Sequence, residues 1–298
     1  MRRHPVILGL LLLLLVFFIF FLLAYFLGIF TGKRSLPLAD SIGVLNLEGV
    51  LRSSQEFARQ AEEFGRDDGI KAVVVRIDSP GGGVAASQEI YASLAELKKK
   101  KKVVVSMGSV AASGGYLVAC AADKIVANPG TITGSISAIM HFANAESLME
   151  KIGLKSSVVK SGKFKDIGSP VRPMTTEEQA LIQDLVDDTY DQLLEVISRD
   201  RKIPREALKQ LADGRVFTGR QAQKLRLVDD LGDMGHAVRM AGKLAGIKGT
   251  PELVYPTKKK STYWELLMEK AASALVGELN KEGSRFQQGV HYLYEPSS

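Results

Sequence analysis

Apolar positions along this chain recur with two different periods. Ile42 to Leu47, Val103 to Val105 and Lys124 to Ala127 are short, β-branched runs that predict strands. Lys71 to Ile77 contains Ala-Val-Val-Val, an unbroken apolar run suited to a strand covered on both faces. Between these runs, Ser53 to Phe64, Val84 to Leu97 and Glu146 to Ile152 show helical spacing, and Ser156 to Lys160 reads as extended. Strands alternating with helices predict βα units and a mostly parallel sheet. After Pro170 the period becomes helical. Thr175 followed by Glu178 is a capping-box pattern that opens a long helix to Arg199. Pro204 opens another through Leu211, and Thr218 to Leu225 and His236 to Leu244 predict short helices.

The two ends break this pattern. Val6 to Phe30 carries no charge, and about 20 apolar residues suffice to cross a bilayer core. It ends in Tyr25, Phe26 and Phe30 without an Ala-x-Ala site, which predicts an uncleaved anchor rather than a removed leader. Arg2 and Arg3 face Lys33 and Arg34 across it, a slight charge bias, and a long following domain favours the amino terminus inside. At the other end Tyr263 to Leu279 is amphipathic, and the residues beyond are polar apart from Tyr292, Leu293 and Tyr294.

Composition adds exclusions. The net charge of +6 owes much to Lys98 to Lys102 and Lys258 to Lys260. The first run closes an amphipathic segment, where cations meet the negative end of a helix dipole. No aromatic residues interleave with it, so nucleic acid is not an expected partner. The one cysteine, Cys120, lies in an apolar stretch, and no metal-ligand spacing occurs, so neither a metal nor a cofactor is expected.

Four polar stretches are candidates for chemistry. Ser106 to Tyr116 (Ser-Met-Gly-Ser-Val-Ala-Ala-Ser-Gly-Gly-Tyr) reads as strand, tight turn and helix, with Ser113 at the mouth of the helix. A hydroxyl there has unpaired backbone N–H groups beside it to receive an oxyanion. Taken alone, the commoner role of such a serine is an N-cap. Asp78-Ser-Pro-Gly-Gly-Gly83 is predicted to be a turn at the C-terminal end of a buried strand, where α/β folds place ligands. It lacks both phosphate-loop patterns. Gly130-Thr-Ile-Thr-Gly-Ser135-Ile-Ser137 offers hydroxyls that hold a neutral amine or cap a helix. No histidine lies in a recognisable triad pattern. Lys160, Lys163 and Lys165 lie in a glycine-containing segment, and a desolvated lysine accepts a proton from a serine. Taken singly, each also fits a solvated surface lysine.

Together, an apolar N-terminal run, Asp-Ser-Pro-Gly-Gly, Gly-Ser-Val-Ala-Ala-Ser-Gly-Gly-Tyr, Asn-Pro-Gly-Thr-Ile-Thr-Gly-Ser-Ile and Lys-Ser-Gly-x-x-Lys-Asp-Ile-Gly-Ser-Pro resemble, in order, the bacterial signal peptide peptidase (SppA) family. The resemblance covers about Ile42 to Gly246. It implies an α/β, crotonase- and ClpP-like core of repeated ββα units with a mostly parallel sheet behind one transmembrane helix. It implies a Ser/Lys-dyad serine endopeptidase that degrades signal-peptide remnants at the cytoplasmic membrane, with the catalytic domain outside the cytoplasm. Ser113 matches the nucleophile, Lys165 the general base, and Ser135 the serine that supports the lysine. Gly114 and Gly82, or Gly81, match the oxyanion donors. Asp78 stands where many relatives have Asn, and Ser137 where they often have Gly, which leaves the pocket's shape open. The short form of the family assembles as a homo-oligomeric ring in which the dyad can be shared between subunits. The expected organisation is an anchor over 1–31, a linker over 32–41, a protease domain over 42–250 and a helical or loose tail over 251–298. Three other readings compete: a related stomatin-partner membrane protease, an acyl-CoA enzyme of the same fold, and a non-catalytic scaffold.

Overall fold

The computed structural model describes residues 9, 12–23, 40–256 and 291–294. Residues 12–23 form a helix, α1, whose apolar side chains are exposed. Among the described residues no helix is long and apolar enough to cross a membrane. The rest of the expected anchor, and the amphipathic stretch from Tyr263 to Leu279, lie outside the described residues.

A second unit begins at Asp40. Its centre is a sheet in the order β7-β6-β4-β2-β1-β9, with β5 also on β4 and β8 on β5. β1 (Ser41–Glu48), β2 (Ile70–Ser79), β4 (Lys102–Ala112), β5 (Lys124–Ala127), β6 (Ile132–Gly134), β8 (Asp230–Leu231) and β9 (Glu252–Val254) pair in parallel. Among the described residues of this sheet, only β7 (Val216–Thr218) runs antiparallel, on β6. Side chains alternate between faces. Val73, Val75, Val103 and Val105 join one cluster, whereas Ala72, Val74 and Val104 join the other. That two-sided burial is why the run Ala72 to Val75 carries no polar residue, and each buried valine contributes about 1.5–3 kcal/mol.

Helices cover both faces. Phe57, Ala61 and Phe64 of α2 (Gln55–Arg66) and Ile90, Leu94 and Leu97 of α3 (Val84–Lys100) pack on one side. They are joined by α4 (Gly114–Cys120), every residue of which is buried, and by Leu193, Leu194 and Ile197 of α6 (Thr176–Arg201). The opposite face meets Ala237 and Ala241 of α9 (Met234–Leu244). Three short helices, α5 (Glu146–Lys151), α7 (Arg205–Lys209) and α8 (Gly219–Lys224), complete the set.

Two sequence expectations are corrected, and one strand appears that the sequence did not predict. β4 continues to Ala112, so Ser113 follows a strand directly and no turn intervenes over 106–112. Gly81–Gly83 is not simply a turn; it is a short strand, β3, and Asp78 and Ser79 end β2. His291–Leu293 is a strand, β10, antiparallel to β3 with Tyr292 opposite Gly82. The reason is the same for the last two: each supplies the partner the other needs, across two hundred residues. No strand is assigned at 156–160.

Candidate active site

β4 and β2 end side by side, and the chain is pinned where they do. Asp78 accepts backbone N–H bonds from Ser109 at 3.2 Å and Val110 at 3.0 Å. Asp78 therefore holds the end of β4 in place. Thr131 and Thr133 donate to the carbonyls of Gly108 and Ala111 at 2.7 and 2.6 Å, laying β6 along β4. Ser113 N donates to Gly134 O at 2.8 Å, which brings the 130–137 loop against Ser113. Ser135 follows at φ 49°, 7% exposed, its N–H bonded to Arg215 O.

Ser113 takes φ 54° and ψ −115°, a conformation that costs a non-glycine residue about 1–3 kcal/mol. It is 1% exposed. It occupies the N-cap position of α4, yet its side chain caps nothing. Its Oγ is, among the described residues, the only fully buried side-chain polar atom without a hydrogen-bond partner. A buried unpaired hydroxyl costs about 1–3 kcal/mol. An N-cap serine has extended backbone and a bonded side chain; Ser113 has neither.

The glycines close around it. Gly81, at φ 100°, has Gly114 N so near that a Cβ would stand 2.7 Å from that nitrogen. Its own N–H donates to Ser79 Oγ at 3.1 Å, and its carbonyl accepts from Leu51 N at 2.8 Å. Of the two glycines the sequence left open, Gly81 thus has its N–H engaged internally. Gly82 faces β10, and the Tyr292 carbonyl oxygen lies against both Gly81 and Gly114, where a methyl group on either would crowd it. Tyr294 N donates to Pro80 O at 2.7 Å. The Tyr292 ring is fully buried, and its hydroxyl donates to Thr189 O of α6 at 2.7 Å. Burial raises the Tyr292 phenol above its ordinary value. A segment of the chain's own carboxy-terminal region therefore lies along β3 as an added strand, with one carbonyl beside Gly114. Only the isolated apolar triplet Tyr-Leu-Tyr in a polar stretch marked it in the sequence.

Lys165 is exposed, and its amine makes no hydrogen bond or ion pair with the described residues. The chain thus brings Ser113, Gly81, Gly82, Gly114 and Ser135 together but does not hydrogen-bond Lys165 to Ser113. Among the described residues no histidine takes its place. His236 lies 2.7 Å from Asp230 Oδ2, a pair the sequence did not reveal, but α9 packs on the face opposite α4. No group of three or more His, Cys, Asp or Glu able to hold a metal ion occurs among the described residues.

The pattern of peptidase family S49 matches residues 95–248, more than half of the chain, and that of Clp protease matches 54–133. The chain belongs to peptidase family S49. Its S49 relatives include a putative protease of Synechocystis sp., 49% identical over 59% of this chain and 64% of the relative. A putative protease of Methanocaldococcus jannaschii is 36% identical over 70% and 68% of the two chains. A putative signal peptide peptidase SppA of Enterococcus faecium is 38% identical over 60% and 52%. The matched part thus spans about half to two thirds of these relatives' lengths. The S49 and Clp matches together cover Ser54 to Lys248, and within that range the fold is a ClpP-like α/β architecture with a mostly parallel sheet.

Proposed function

We propose that this protein is a membrane-anchored serine endopeptidase of the signal-peptide-peptidase type, with Ser113 as nucleophile and Lys165 as general base. The observation that carries this reading is the Ser113 hydroxyl: buried, unpaired, and held on strained backbone beside glycine N–H groups. An arrangement costly to the fold and useless as a cap is what an activated nucleophile requires. In the first step the neutral Lys165 amine takes the Ser113 proton while Oγ attacks the peptide carbonyl carbon. The N–H groups of Gly114 and Gly82 receive the oxyanion. Collapse expels the amine product, which takes the proton back from Lys165, and water activated by the same amine then hydrolyses the acyl-enzyme. Ser135 supports the lysine.

The substrates are apolar peptides, signal-peptide remnants among them, bound as an added strand along β3 in the manner of residues 291–293. An anchor over 6–30 holds the enzyme in the cytoplasmic membrane with its catalytic unit outside the cytoplasm. Because Ser113 Oγ and the Lys165 amine each lack a partner among the described residues, this reading takes the base from a neighbouring subunit of a homo-oligomeric ring.

A fluorophosphonate probe on the full-length protein tests the nucleophile: the adduct maps to Ser113 and is lost in Ser113→Ala. Mixing inactive Ser113→Ala and Lys165→Ala chains restores a fraction of activity. Labelling elsewhere removes the nucleophile assignment, and a mixture as dead as its parts removes the shared site.

A further inference from the structure

Between residues 160 and 172 the chain carries four cations: Lys160, Lys163, Lys165 and Arg172. Three of them pair with carboxylates. Lys160 bonds Asp166, Lys163 bonds Glu177, and Arg172 bonds both Asp166 and Glu178. The cation left over is Lys165, although Asp166 is its immediate neighbour. A carboxylate within reach of an amine favours the ammonium form, which cannot accept a proton from serine.

We infer that Arg172 is a positioning residue for catalysis: it withdraws Asp166 from Lys165 and ties the lysine-bearing loop to the start of α6. This rests on Lys165 being the base. The guanidinium reaches four groups. Nε donates to Asp166 Oδ2 at 2.9 Å and Nη2 to the Asp166 carbonyl at 3.3 Å. Nη1 donates to Pro173 O at 3.0 Å and to Glu178 Oε2 at 2.8 Å, and Nη2 to Glu178 Oε1 at 2.5 Å. Glu178 is 2% exposed and also accepts from Thr175 N and Oγ1, so the clamp is built into the capping box of α6. A planar, bidentate fork reaches all four groups at once, whereas a lysine's point charge reaches only some of them. Arg172, then Lys160, hold the Asp166 carboxyl well below its usual range, so it stays an anion that must be occupied. Other titratable groups near the loop are Glu177 on α6, His141 and Glu146 on the stretch packed against it through Phe142 and Ala145, and Glu150 and Lys155, which line a cavity with Val171.

The test uses the full-length enzyme, an apolar peptide substrate, and kcat, KM and the pH–kcat profile. Arg172→Met should lower kcat about 10- to 100-fold with KM within about twofold, and move the pH of half-maximal kcat upward by about one unit. Arg172→Lys should recover part of kcat. In an Asp166→Asn background, adding Arg172→Met should cost less than about threefold, because the carboxylate it restrains is gone. Asp166→Asn and Arg172→Lys keep part of the clamp and carry the test if Arg172→Met fails to fold, the pH midpoint moving upward by a smaller amount in Arg172→Lys. An unmoved pH midpoint in Arg172→Met or Arg172→Lys, or an undiminished Arg172 effect without Asp166, overturns the inference. Full activity in Lys165→Ala overturns instead the reading on which it rests.

Discussion

At the scale of single residues, Ser113 sets stability against activity. Its φ of 54° is a region glycine enters freely and serine does not. Ser113→Gly should therefore raise unfolding stability by about 1 kcal/mol in chemical denaturation while abolishing peptide cleavage. Ser113→Ala keeps the strain and sheds only the unpaired hydroxyl, so it should lose activity with a smaller gain. The sequence makes Ser113 conspicuous, because an apolar strand, a serine and two glycines leave few other places for a helix to start. It does not reveal that the hydroxyl goes unbonded, since a capping serine and this one share the same neighbours and differ in φ and ψ. That the Ser79 hydroxyl takes the Gly81 N–H was equally closed to the sequence.

At the scale of elements, β3 and the start of α6 decide the outcome. Gly81–Gly83 has a composition that opposes strands, and only pairing with Tyr292 on one side and Leu51 on the other makes it one. A Cβ on Gly82 would overlap the Leu51 main chain, whereas one on Gly83 would stand 3.7 Å from the Leu51 carbonyl oxygen. Gly82→Ala should thus lower kcat about 10²-fold by displacing an oxyanion donor, and Gly83→Ala should fold and cleave within about threefold of the parent. The α6 capping box was legible because Thr175 and Glu178 are close in sequence and are satisfied locally. The use of Glu178 by Arg172 was not, because the arginine approaches from a loop without periodicity. Hydrogen bonds from Arg172, then from Thr175, hold the Glu178 carboxyl at about 2 instead of 4.5. A lowered carboxyl stabilises the fold above its ordinary value and ceases to as pH falls through the lowered one. Hydrogen exchange between pH 5 and pH 2 should show residues 160–178 opening before the β2–β4 core.

At the scale of the whole molecule, the sheet was the readable part. Valine runs buried on both faces announce parallel strands, and their βα alternation gives the chain its order. What the described residues leave open is a buried serine hydroxyl and an exposed lysine amine, each without a partner among them. If assembly joins them, specific activity should fall on dilution below the dissociation constant of the oligomer and return on reconcentration, with sedimentation tracking the same midpoint. Rate constants that ignore enzyme concentration across that range would place the complete site in one subunit.

If substrates pair with β3 as proposed, residues 291–294 already occupy that edge before any arrives. A tethered ligand works at an effective concentration of order millimolar, so an incoming peptide competes against a rival that never diffuses away. Deleting 291–298 should lower KM for short peptides severalfold and also lower the melting temperature, because the Tyr292 ring leaves a filled pocket against α6. Selectivity for long, strand-forming chains over casual ones would then be a property of the enzyme's own end, removable with eight residues.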